Sequence, residues 1–167
     1  MTSKIFKPIL VLCLMASCIV LPGCQNASIE DQFLNKVGIE IKHNLDVTLL
    51  ETSPIKLFTT VPLYVVNKTS DCLVFPFNYG VRVFVLQNNN WIEIPDVIKY
   101  ADNHDVILDA RNGLYPDTMV SVNPDYSKLD NISGQLRMRI VVVGRQCVNG
   151  VASEQQFADF IELPVQP

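Results

Sequence analysis

From residue 37 onward the apolar positions recur every second residue rather than every third or fourth, the period of a half-buried strand and not of an amphipathic helix. Val37, Ile39 and Ile41 alternate with Gly38, Glu40 and Lys42, and Val47 to Glu51 forms another short run. Leu57 to Val66 is rich in Thr, Val and Tyr, with Pro62 marking an edge strand or a bulge. Cys72 to Phe75, Val81 to Gln87, Trp91 to Ile94, Val106 to Leu108, Met119 to Val122, Leu136 to Gly144 and Phe157 to Leu163 complete the set. Asn88-Asn89-Asn90 predicts a hairpin turn, because asparagine tolerates positive φ. No stretch of about twelve residues carries a helical stripe. About eight or nine short strands, separated by Asn, Asp, Gly and Pro, predict an all-β fold of two packed antiparallel sheets.

The first residues follow a different rule. Lys4 and Lys7 precede an uncharged run from Ile9 to Leu21, the form of a signal peptide. As a helix at ~1.5 Å per residue this run spans roughly 20 Å, short of the ~30 Å hydrocarbon core of a bilayer. Leu21-Pro22-Gly23-Cys24 follows and resembles the bacterial lipobox, with Pro22 its one departure from the usual pattern. The resemblance implies cleavage between Gly23 and Cys24 and a diacylglyceryl thioether on Cys24, with further acylation by a fatty acid such as palmitate. Two or three chains anchor firmly where one gives marginal affinity. Gln25 in place of an aspartate favours the outer membrane in a two-membrane cell. The alternative is an ordinary secretory signal that leaves Cys24 a thiol.

Composition narrows the classes. The chain has 13 basic and 17 acidic residues and a net charge of −4, and loss of Lys4 and Lys7 leaves the exported part more acidic still. Bulk charge therefore argues against a nucleic-acid partner. With 49% apolar and 18% charged residues, intrinsic disorder is excluded. Of the five cysteines, Cys13 and Cys18 leave with the signal peptide and Cys24 carries lipid, so Cys72 and Cys147 remain. They are a disulfide candidate in an exported domain, with two separate buried thiols as the alternative.

Tyr64-Val65-Val66-Asn67-Lys68-Thr69, the segment Phe84 to Trp91, the Pro116-Asp117 turn, Asn123-Pro124-Asp125-Tyr126 and Leu136-Arg137-Met138-Arg139-Ile140 resemble the immunoglobulin-like domains of bacterial lipoproteins. The resemblance runs from about Val37 to Val165 and implies an immunoglobulin-like antiparallel β-sandwich without assigned activity. On that fold Leu57 to Val66 is strand B, Cys72 to Gln87 holds strand C and Leu136 to Gly144 is strand F. Cys72 and Cys147 then lie in the B–C and F–G connections at one end of the sandwich, where a bond would act as a clasp. The Tyr-x-Cys corner of antibody domains is missing.

Candidate chemistry is sparse. GxSxG, HExxH, GxGxxG and GxxxxGK[ST] do not occur, and the acids are scattered. Asp102-Asn103-His104-Asp105, with Asp109, is oxygen-rich but lacks the spacing of a calcium loop, so it reads as a solvated turn. His43 reads as a strand end. Phe75, Phe77 and Tyr79 alternate on an extended segment, either as a stacking platform for sugar or peptide or, in the favoured reading, as core rings. Trp91 reads as a structural cap over a hydrophobic edge, with ligand contact as the minority view. Arg137 and Arg139 read as the solvent face of a half-buried strand. Asn26-Ala27-Ser28, Asn67-Lys68-Thr69 and Asn131-Ile132-Ser133 match the glycosylation triplet by accident.

The expected organisation is a signal peptide over 1–23, a lipidated tether over 24–36 and an immunoglobulin-like sandwich over 37–167. The expected function is non-catalytic, without cofactor or metal: a lipid-anchored extracytoplasmic module, attached to membrane through Cys24, that binds an unknown protein or cell-envelope polymer. The alternative is a protease-inhibitor-like protein, on fold analogy alone.

Overall fold

Asn88 and Asn89 take φ values of 50° and 60°, so the asparagine turn closes a two-residue hairpin in which Gln87 faces Asn90. The computed structural model describes residues 28–50, 55–98, 104–108, 119–130, 132, 134–149 and 151–166. The signal peptide, Gly23 and Cys24 lie outside them, as do most of the Asp102 loop and the Pro116-Asp117 turn. Among the described residues the strands are β1 (Leu45–Leu49), β2 (Ile55–Lys56), β3 (Val61–Asn67), β4 (Leu73–Pro76), β5 (Arg82–Gln87), β6 (Asn90–Ile94), β7 (Asp105–Leu108), β8 (Met119–Val122), β9 (Leu136–Val148) and β10 (Val151–Gln166). The described residues hold one α-helix, α1, at Ile29–Val37, and a short 3-10 turn at Tyr126–Lys128.

The strands form two sheets, and neither closes on itself. The smaller is antiparallel in the order β1-β3-β8. The larger has seven strands around β9: β10 runs along one edge, while β4 and β5 share the other. β7 extends it beyond β4, β6 extends it beyond β5, and β2 pairs in parallel with the end of β10. Leu45, Val47, Leu63, Val65 and Val120 of the first sheet meet Phe75, Val83, Val85, Ile140 and Val142 of the second in a single buried core. The predicted all-β, two-layer arrangement therefore holds, and the period-two pattern does what it must: burial alternates strictly along β3.

Four local expectations change. Pro62 sits in the central strand of its sheet, between β1 and β8. It is tolerated because its edge facing β1 lies just past the last β1 pair, Leu49 with Leu63, and its carbonyl accepts from the Leu50 amide at 3.1 Å. Val37 to Ile41 is not a strand. Gly38 ends α1 at φ 67°, and only Ile41 makes an isolated parallel bridge, to Ala158. The final hairpin is longer than the apolar runs suggest. β9 extends to Val148 and β10 begins at Val151, joined through Asn149 at φ 54°.

The fourth change is the segment taken as tether. Ser28 caps α1 by accepting from the Asp31 amide, and the Asp31 carboxylate accepts from the Ser28 amide, which is a capping box. Phe33 and Val37 are buried against Phe84, Trp91, Val141, Val143 and Ala158. The helix was hidden because only a narrow stripe over nine residues is apolar and its stability comes from docking. It covers the outer face of the larger sheet and adds a second, smaller core there.

Cys72 and Cys147 are bonded, with Cα atoms 5.1 Å apart and a sequence separation of 75. The bond joins neighbouring strands of one sheet, since Leu73 pairs with Gln146, and Cys147 belongs to β9 itself rather than to a connection.

Candidate functional site

Side chains of the sequence-nominated aromatic group do not form a platform. β4 stops at Pro76, and the chain turns through Tyr79 at φ 55°, so the three rings diverge. Phe75 and Tyr79 are in the main core, 5.1 Å apart between ring centroids. Phe77 is half-buried and meets the His104 ring at a tilt, with centroids 4.5 Å apart. Trp91 is fully buried beneath α1, and its indole N–H has no hydrogen-bond partner. Phe75, Tyr79 and Trp91 thus offer no ring to a ligand. Asn67 is also fully buried: its amide donates to the Asp71 and Leu108 carbonyls and accepts from the Thr69 amide and hydroxyl. That triplet is a loop clamp, inaccessible to sugar transfer.

His43 Nδ1 lies 3.1 Å from Asp159. Asp159 is itself 3% exposed and accepts from the Leu45 and Phe160 amides. The pair fixes the start of β1 to β10 and so ties the two sheets together.

The outer face of β9 carries the charge that periodicity placed there: Arg137 is exposed, as that reading expects, but Arg139 is not. Arg139 is 6% exposed. Its guanidinium is 4.3 Å from the Phe33 ring centroid and 4.6 Å from those of Trp91 and Phe160. It donates twice to Glu30 of α1 at 2.9 and 2.8 Å and once to Glu162 of β10 at 2.7 Å. Burial opposes ionisation of both Arg139 and Glu162. The hydrogen bonds of Arg139 to Glu30 and Glu162, and of Glu162 to Arg139 and Arg137, together with the attraction of these opposite charges, outweigh it, holding the arginine above and the glutamate below its ordinary pKa. Arg137 also donates to Glu162. At the other end of α1, Arg82 donates to the Val37 and Lys36 carbonyls at 2.6 and 3.0 Å and forks onto Glu93 at 2.7 Å. The two arginines clamp the helix, one at its first turn and one at its C-terminal carbonyls.

Beyond that clamp the same face opens into a hollow of about 210 Å³, lined by Ile39, Pro76, Gly80, Val143, Gly144, Arg82, Arg145 and Gln156. Two irregularities make it. Between the β4 and β5 pairings, eight steps of chain oppose four on β9, the excess looping out through Phe77–Gly80. On the opposite side β10 slips register between Ala152 and Gln156. A Cβ on Gly80 would come 2.7 Å from the Val143 carbonyl oxygen, so the loop backbone is pressed onto β9 at a position with φ 57° that favours glycine. Gln156 faces Arg145 across the β9–β10 ladder. Arg145 is half-buried, and no carboxylate among the described residues pairs with it. The sequence reading missed Arg145 and Gln156 because it ended the strand at Gly144. The Asn149-Gly150 turn signal would have extended it and put Arg145 in phase with Arg137 and Arg139.

No family model and no curated protein matches the chain. Among solved structures it resembles a chain described as AvmM, which catalyses macrocyclization in alchivemycin A biosynthesis. The identity is 12%, over 78% of this chain and 93% of that one, with a TM-score of 0.27.

Proposed function

We propose that the protein is a lipid-anchored, extracytoplasmic, non-catalytic binding or accessory module of the bacterial cell envelope, built on an immunoglobulin-like sandwich. The strand order supports the fold reading: β1-β3-β8 facing β10-β9-β4/β5 matches A-B-E facing G-F-C, with strand C interrupted by the Phe77–Gly80 loop. The observation that carries the function is the Cys72–Cys147 disulfide in a domain whose chain upstream reads as a lipobox. A structural disulfide belongs to an oxidising compartment, and export by a lipobox leads to one.

The docked helix sharpens the anchoring. Ser28 already caps α1, so the chain from Cys24 to Ser28 can reach at most roughly 14 Å at ~3.5 Å per residue. The domain is then held against the bilayer surface rather than on a long stalk, with the first turn of α1 nearest the lipid. In cells given labelled palmitate, the protein is expected to take up label and sediment with membranes, and Cys24→Ser to lose both. Unlabelled cytosolic protein that still begins at Met1 would overturn the reading. The purified chain is also expected to leave a panel of proteases uninhibited; inhibition would move it to the protease-inhibitor class.

A further inference from the structure

We propose that the hollow beside Arg145 binds a single carboxylate carried on a small apolar group. This deepens the binding-module reading and rests on it.

The first ground is charge. Arg137, Arg139 and Arg145 share the outer face of β9, and Arg82 of β5 lies across from Val141. Arg137 and Arg139 are met by Glu162 and Glu30, and Arg82 by Glu93, at 2.6 to 2.8 Å. Arg145 alone of these four has no carboxylate partner among the described residues, in a chain with 17 acids to 13 bases. The second ground is shape. Both neighbours of β9 leave regular register at this level, which clears the space above Arg145 that their side chains would otherwise fill. Ile39, Pro76 and Val143 then supply apolar walls.

The chemistry of the walls selects the ligand. A guanidinium fork matches one carboxylate through two parallel hydrogen bonds, and the Gln156 amide opposite adds a neutral donor. A phosphate dianion would bring a second charge with no second cation to meet it, because Arg82 is spent on Glu93 and on the helix carbonyls. The hollow is smaller than the ~300–1,000 Å³ of ordinary ligand pockets. It therefore fits a short organic acid or the end of a longer molecule, such as the C-terminal residue of a peptide.

Titration of the full chain, followed by the Arg145 Nε–H signal in ¹⁵N-correlated NMR spectra, tests this. Propionate and N-acetyl-alanine are expected to shift that signal saturably, and N-acetyl-alanine amide to leave it in place. Tighter binding of N-acetyl-alanine points to a chain terminus, and equal binding to a free acid. Arg145→Gln, read on the Gly144 amide, should weaken the carboxylates about tenfold or more. Gln156→Ala, an exposed position, should weaken them less, and Arg137→Gln not at all. A response to the amide equal to that of the acid, undiminished binding in Arg145→Gln, or preference for inorganic phosphate overturns the proposal. If no carboxylate binds while palmitate labelling still requires Cys24, the pocket assignment falls and the anchored-module reading stands.

Discussion

Gly144 shows how little room single residues have in the main core. A Cβ built there would run into the Phe75 ring, and Phe75 is hemmed in by Tyr79 and Phe157. Gly144→Ala is expected to destabilise by about 1–3 kcal/mol, the range for overpacking, read as a lower denaturant midpoint. Arg139 gives a contrast between burial and charge. Arg139→Ala should cost about 3 kcal/mol, because it empties a cage of three rings as well as breaking a buried pair. Glu30→Gln should cost under about 1 kcal/mol, since the Glu30 carboxylate is half in water. Glu162 adds a pH signature. Its folded pKa lies below the ordinary glutamate value of 4.5, so its contribution is complete above that pH and fades as pH falls through the depressed folded value. Glu162→Gln should flatten that part of the acid limb in a stability-versus-pH series.

At the scale of elements, α1 has weak intrinsic means and strong tertiary ones. Nine residues with one capping box do not hold a helix in water, but Phe33 seated on Phe84, Trp91 and Phe160 does. Phe33→Ala is expected to cost about 3–5 kcal/mol if the helix unfolds with the domain. Trp91 is the only tryptophan and lies beneath it, so the same variant should red-shift the tryptophan emission. If instead the helix melts alone, the red shift appears while the global midpoint hardly moves, and that outcome would make α1 a separable cover. The alternating strands were legible from sequence because each has one apolar and one polar face. α1 was not, because its partner surface is the outer face of β5, β6, β9 and β10, whose burial depends on the helix being there.

For the whole molecule, the Cys72–Cys147 bond closes 75 residues, which is nearly half the chain. The chain-entropy account gives about 4 kcal/mol for a loop of this length. Cys72→Ser with Cys147→Ser should therefore lower unfolding free energy by up to about that amount, measured by denaturant titration against the oxidised parent. Reducing agent should have the same effect on the parent and none on the double variant. One face of the larger sheet is core, and the other is divided between the docked helix and the Arg145 hollow.

The sequence by itself determined the alternation of the strands, the asparagine turn at 88–90 and the availability of Cys72 and Cys147 for pairing, because each follows from short-range sterics or from counting. Only the tertiary structure decided that the rings at 75, 79 and 91 face inward, that Arg139 is caged while no acid among the described residues pairs with Arg145, and that residues 29–37 are helical. These depend on which surfaces meet across long separations in the chain: a residue's period tells which side of a strand it occupies, but not what the rest of the molecule lays over that side.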